Sequence, residues 1–207
     1  MLEGTHIAGP PPTPPFPISM ARLEDPAEGP RQHRDHLQKL PEGTVLLYTD
    51  GSKSNHYRSG SAWTIYHSRH DDAPSPELAS GYCCIGDKSE VYDAELHAIQ
   101  EGLLFLTFTE WVPDHLVVCA DNQAVLMTLA GGNPNGTEYA QHPLNMTGLL
   151  QGRGWSVSGL WTPAHCGIPG NEQADTKLGS QSVALCQHTR VTKTWLQAQV
   201  PQRLMVE

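Results

Sequence analysis

"VYDAELHAIQEGLLFLT", residues 91–107, is the stretch on which the fold turns. Tyr92, Leu96, Ile99, Leu103 and Leu106 recur at alternating spacings of four and three, which makes one apolar face of a helix. Glu95 falls between Tyr92 and Ile99 at spacings of three and four, so its carboxylate points toward the sheet side rather than into solvent. Upstream the period is different. "TVLLYTD" (44–50) is a short run of strand formers ending on a carboxylate, and "GSAWTIYHS" (60–68) and "ASGYCCIG" (79–86) read as two more strands. The short polar or Gly-containing links between them predict an antiparallel meander. Downstream, "HLVVCAD" (115–121) predicts a fourth strand, "NQAVLMTLAGG" (122–132) a helix stopped by Gly, and "EYAQHPLNMTGLLQGRG" (138–154) a helix with Pro143 near its start. "SVSGLWTP" (156–163) predicts a fifth strand and "NEQADTKLGS" (171–180) a closing helix. Strands that alternate with helices late in the chain imply parallel additions to the sheet. The expected class is therefore α/β, with helices covering both faces.

Residues 1–42 read as a Pro-rich, disordered tail, because "GPPPTPPFP" (9–17) lacks the N–H groups and the φ freedom that helices or paired strands need. "RQHRDHLQKL" (31–40) suits a helical turn or two before the domain, which is expected over 43–182. Residues 183–207 are either a helix packed back on the domain or a second tail. The net charge of -9 argues against a protein that coats nucleic acid by charge alone, but not against a nuclease whose acids hold cations. No apolar run spans a membrane, and no basic flank with an apolar stretch marks a secretory signal. Five Cys, two of them adjacent and none in a C-x-x-C pair, fit free thiols in a reducing compartment. The chain is thus expected inside the cell, in nucleus or cytoplasm, and the sequons at Asn135 and Asn145 are read as chance.

Four acids fall at telling places. Asp50 and Asp121 end predicted strands, Glu95 faces the sheet, and Asp175 stands at the beginning of the last predicted helix. In an open α/β sheet, strand ends and nearby helix starts converge on one crevice. Any one of these acids alone is most simply a turn, cap or helix-surface residue. Four together repel one another unless cations neutralise them. Oxygen ligands of this kind suit Mg²⁺ or Mn²⁺.

The motifs "YTDGS" (48–52), "YDAELHAI" (92–99), "CADNQAVL" (119–126) and "WTPAHCGIPGNEQAD" (161–175), in this order, resemble the type-1 ribonuclease H domain. They are most similar to the version carried by non-LTR retrotransposon polyproteins and their fungal relatives, over about residues 43–182. The resemblance implies the ribonuclease H-like fold, a five-stranded mixed sheet with helices on both faces. It implies an endonuclease that hydrolyses the RNA strand of RNA/DNA hybrids and leaves 5′-phosphate and 3′-hydroxyl ends. Asp50, Glu95, Asp121 and Asp175 match the family's metal-binding carboxylates, which hold two divalent ions about 3.5–4 Å apart on one phosphodiester. Mg²⁺ is the expected cofactor, with Mn²⁺ as a substitute. His165 matches the family's mobile-loop histidine, suited to proton transfer or product release. Gly51, Ser52 and Gln123 are expected along the RNA strand. Asn171 is expected with them, and Glu172 matches the loop–helix junction or serves the helix dipole.

The chain also departs from the family pattern. "AGGNPNGTEYAQHPL" (130–144), where many type-1 enzymes carry a basic protrusion, has no Lys or Arg. Weaker hybrid binding with a flatter salt dependence is expected. A competing reading is a catalytically weak or inactive mobile-element remnant that binds nucleic acid or a protein partner. A transposase or integrase fits poorly, because Ser156 and Val157 occupy the region where a third acid would stand, on a predicted strand. No reverse transcriptase domain accompanies the motifs, and a monomer without membrane contact is expected. Trp63, Trp155, Trp161 and Trp195 read as core before they read as base-stacking groups. His67, His70, Asp71 and Asp72 read as a solvated hairpin loop, and His97 as a polar-face residue.

Overall fold

The computed structural model describes residues 17–19, 26–53, 59–69, 75–86, 88–112, 114–132, 138–179 and 188–191. Strand β2 (Val45–Lys53) lies at the centre of a mixed sheet, and its first seven residues are all buried. That is why "TVLLY" is apolar without alternation: both faces of this strand are covered. It pairs antiparallel with β3 (Ser59–His67), which pairs antiparallel with β4 (Ala79–Gly86). On its other side β2 pairs parallel with β5 (His115–Ala120), and β5 pairs parallel with β6 (Ser156–Trp161). This is the expected meander with parallel additions.

Helix α2 (Val91–Thr107) covers one face with its predicted apolar stripe, in which Leu96, Ile99, Leu103 and Leu106 are fully buried. It starts where Asp93 accepts a hydrogen bond from the Glu90 amide at 3.0 Å, tying up one of the free N–H groups of the first turn. Helix α3 (Gln123–Met127) begins at Asn122, whose side chain accepts from the amides of Ala124 and Val125. It runs into a wider turn, Thr128–Gly132, where Gly131 takes φ 90. Helix α4 (Glu138–Gly152) packs on α2. Helix α5 (Pro169–Gly179) packs on β2 and β3. The opposite face of the sheet carries a smaller core of Leu46, Tyr48, Val117, Cys119, Leu160 and Ile168.

The structure extends the five expected strands to seven, in the order β1-β6-β5-β2-β3-β4-β7. The additions are short edge strands. β1 (Ile18–Ser19) pairs parallel with β6, and β7 (His188–Val191) pairs antiparallel with β4. The segment read as a tail also supplies α1 (Gly29–Leu37). Leu37 and Leu40 pack on the smaller core, and buried His33 places Nε2 2.7 Å from the Tyr48 hydroxyl. The Pro-rich stretch before residue 17 and most of 183–207, including Trp195, lie outside the described residues. Among the described residues the thiols of Cys83, Cys84, Cys119 and Cys166 form no disulfide, and no helix is long and apolar enough to cross a membrane.

Gly51 fixes how closely α2 approaches the sheet. A Cβ at this position would stand 2.5 Å from the Glu95 backbone N and 2.8 Å from the Ala94 carbonyl carbon. Both are backbone atoms, so no side chain can swing aside. Gly51→Ala is expected to push α2 away from β2 and to lower unfolding free energy by about 1–3 kcal/mol, read from the urea midpoint. An unchanged midpoint would contradict this packing.

Candidate active site

The register of the central parallel pair builds the site. Tyr48 lies beside Cys119 in the last pair of the β2–β5 ladder. Two residues beyond that pair stand Asp50 and Asp121: Asp121 directly follows β5, whereas Asp50 does not end its strand as expected but lies inside β2, which runs on to Lys53 against β3. The close seat of α2 on Gly51 then brings in Glu95. Carboxylate oxygens of Asp50, Glu95 and Asp121 lie within 4.8 Å of one another. They line an open crevice of about 550 Å³ with Gly51, Ser52, Gln123, His165 and Asp175. The indole of Trp161 donates to the Asp121 carbonyl at 2.8 Å and holds that strand end in place.

Electrostatics in this crevice are unfavourable for bare carboxylates. Burial first, then the charges of Asp121 and Asp175, push the Asp50 carboxyl up to about 7. Burial, with Asp121 and Asp50 close by, holds Glu95 well above the ordinary carboxylate range. Asp121 is raised by burial too, while a hydrogen bond from Glu95 partly offsets the rise. Glu95 is 2 % exposed, and its Oε2 is buried with no hydrogen-bond partner. A buried acceptor left unpaired among three converging carboxylates is what a divalent cation would satisfy. The donor set is oxygen only, which suits Mg²⁺ or Mn²⁺ rather than a softer ion.

Asp175 stands apart from the tight trio. The helix begins at Pro169, two residues before the predicted start, so Asp175 lies in its second turn rather than at its beginning. Its Oδ2 is 3.8 Å from His165 Nδ1, and Glu172 completes a second group whose ligand atoms lie within 4.8 Å of one another. Glu172 also accepts from the Gly167 amide at 3.0 Å, which ties the loop to the helix start. His165 is exposed and takes φ 51, a left-handed conformation unusual for a residue with a Cβ.

Eight of the nine residues expected from sequence meet in the crevice: Asp50, Gly51, Ser52, Glu95, Asp121, Gln123, His165 and Asp175. Asn171 does not. It is 2 % exposed, with its Oδ1 buried and unpartnered, because it faces inward from the first turn of α5. Glu172 stands at the loop–helix junction as read from sequence, whereas sequence reasoning missed the supporting role of Trp161. The alternation in "SGLW" was the available signal for Trp161. Trp63 and Trp155 are core residues, each 3 % exposed. His97 is not a solvated polar-face residue: its Nδ1 lies 2.8 Å from Ser61 Oγ and burial lowers its pKa. The His67 ring lies tilted against Trp111, with centroids 5.6 Å apart, and His70, Asp71 and Asp72 lie outside the described residues. Among the described residues no Lys or Arg lines the crevice, and nearby Lys53 is paired with Glu90 at 2.6 Å.

No protein-family model matches the chain, and no curated protein matches it either. Solved structures do. The chain is similar to LC9-RNase H1, described as a type 1 RNase H with the type 2 active-site motif, at 14% identity and a TM-score of 0.52, covering 77% of this chain and 82% of that one. It is similar to the N-terminal RNase H domain of a Mycobacterium tuberculosis protein at 17% identity and a TM-score of 0.50, covering 64% of this chain and 94% of that one. Sheet order, helix placement and these likenesses together give the chain the ribonuclease H-like fold.

Proposed function

We propose that this chain is a type-1 ribonuclease H, an endonuclease that hydrolyses the RNA strand of RNA/DNA hybrids. One observation carries the reading: Asp50, Glu95 and Asp121 converge within 4.8 Å at the mouth of the central parallel strands. Such a site raises the pKa of its own members, which is the pattern of a functional cluster in a cleft. Asp50, Glu95, Asp121 and Asp175 would hold two divalent ions, Mg²⁺ or in its place Mn²⁺, whose chemistry is to lower the pKa of a water and to stabilise the leaving oxygen. The chain's own groups do the rest. Asp50 and Asp121 follow the last pair of the β2–β5 ladder by two residues each, which brings their carboxylates close, and Trp161 steadies the second of them. His165, beside Asp175 at the open rim, carries a proton between the crevice and solvent. Gly51, Ser52 and Gln123 line the same crevice and on this reading contact the ribose 2′-hydroxyl. Cleavage on this plan leaves 5′-phosphate and 3′-hydroxyl ends.

That no Lys or Arg among the described residues lines the crevice favours a second reading, a catalytically weak or inactive mobile-element remnant that binds nucleic acid or a protein partner. Cleavage of an end-labelled RNA/DNA hybrid in Mg²⁺, in Mn²⁺ and in EDTA separates the two, with Asp121→Asn as control. RNA cutting that needs metal and disappears in the control supports the nuclease. No cutting by folded protein in Mn²⁺ and low salt sinks it and leaves the remnant. With few cations facing the substrate, log affinity for hybrid is expected to fall only shallowly with log salt, by a slope of magnitude about 1–3. A steep slope would require a basic surface elsewhere.

A further inference from the structure

Helix α1 touches the start of the loop that carries His165 directly, and its end through Tyr48. At the loop's start, Gly29 is packed so closely that a Cβ on it would lie 3.0 Å from Pro163 Cγ and 3.4 Å from Cys166 Cβ. At its end, His33 Nε2 is 2.7 Å from the Tyr48 hydroxyl, and the Tyr48 ring lies directly against Gly170 in the first turn of α5. Gly170 also offers its carbonyl to Thr64 at 3.4 Å. Between these two anchors His165 holds φ 51. A side chain with a Cβ keeps that backbone conformation only where its surroundings impose it.

The loop's own ties are modest. Cys166 Sγ meets the Ala164 carbonyl at 3.1 Å, and the Gly167 amide donates to Glu172. The His165 ring has Asp175 at 3.8 Å, longer than a hydrogen bond. His33, by contrast, is only 8 % exposed. A buried imidazole needs a partner to offset its lost hydration, and Tyr48 is that partner. The Asp50–Glu95–Asp121 trio is assembled by the backbone pairing of β2 with β5 and by the seat of α2 on Gly51, and α1 meets that pairing only through side chains, at Tyr48 and the smaller core.

We propose that α1 is a brace that sets the conformation of the His165 loop, with Gly29 and His33 as its positioning residues. Its effect on turnover rests on the nuclease reading, but its effect on the loop does not. The test uses the full chain and three variants. His33→Leu fills the space without the hydrogen bond. His33→Gln keeps a side-chain amide that can reach Tyr48. Gly29→Val drives a side chain into Pro163 and Cys166.

Hydrogen–deuterium exchange is read peptide by peptide. Amides of 164–168 are expected to exchange about tenfold faster in His33→Leu and Gly29→Val, while those of α2 and α4 stay at the wild-type rate. His33→Gln should return the loop to near wild type. In the hybrid assay the first two variants should lose about ten- to a hundredfold in kcat with KM within about twofold. Loop exchange unchanged in both variants would overturn the proposal. So would exchange that rises equally in every element, since that is a merely structural role. If wild-type protein does not cut hybrid, the nuclease reading fails and the exchange result alone decides on the brace.

Discussion

Glu95→Gln is expected to slow hybrid cleavage by at least about a thousandfold and to raise the melting temperature in EDTA. The first half follows from charge. A carboxylate that helps hold a cation contributes several kcal/mol to stabilising the transition state, and about 4 kcal/mol is a thousandfold in rate. Gln offers a neutral oxygen of the same reach and cannot replace that charge. The second half follows from burial. Glu95 is 2 % exposed, and its pKa is driven up by desolvation and by Asp121 and Asp50. The amide is neutral without taking up a proton, so it avoids the cost of either protonating or charging a buried acid, and it opens no cavity. Loss of cutting with a gain in melting temperature is the signature of a site held against stability. Loss of both would mean that Glu95 supports the fold, and its place in the chemistry would have to be given up.

Asp50→Asn carries the second large effect, this time along the pH axis and without metal. The Asp50 carboxyl sits at about 7 in the folded protein against an ordinary value of 3.8. Its folded value is raised, so the stability it contributes is fully present below pH 3.8 and is lost as pH climbs through about 7. The gap between the two values corresponds to about 4 kcal/mol as an upper bound. Denaturation in EDTA should therefore find wild type and Asp50→Asn close near pH 4. The variant should draw ahead steadily and lead by up to about 4 kcal/mol near pH 8. Added Mg²⁺ should close that gap from the wild-type side, because a cation that binds only the folded carboxylates stabilises them by mass action. A wild type that gains on the variant as pH rises would show that Asp50 has a cationic partner instead.

Much of the architecture was legible before any coordinates. The spans 79–86 and 91–107 are observed with their predicted bounds, because each has a clean period and clear stops. The acids were legible through position, since Asp50 and Asp121 close apolar runs and Glu95 sits on an apolar stripe. What escaped was set by partners distant in sequence. Two residues of β1 carry no periodicity, and only the β6 edge makes them a strand. "RQHRDHL" has few apolar residues, and its worth lies in His33 finding Tyr48. The burial of Asn171, away from the crevice lining, was not legible for a related reason. A loop–helix junction does not say which way its side chains turn, and the helix that starts at Pro169 turns this one inward.

The pairing of β1 with β6 also imposes an order in time. Among the described strands β1 is made first, and β6 closes the five-stranded core. On the ribosome the early segment therefore emerges long before the edge that receives it. Joining the two closes a loop around nearly the whole core, an entropically late event of the slow, non-local class. The nascent chain should first gather its acids around the central strands and only afterwards dock the segment that steadies His165. A chaperone that held the early segment back would leave a folded core with its histidine loop not yet set.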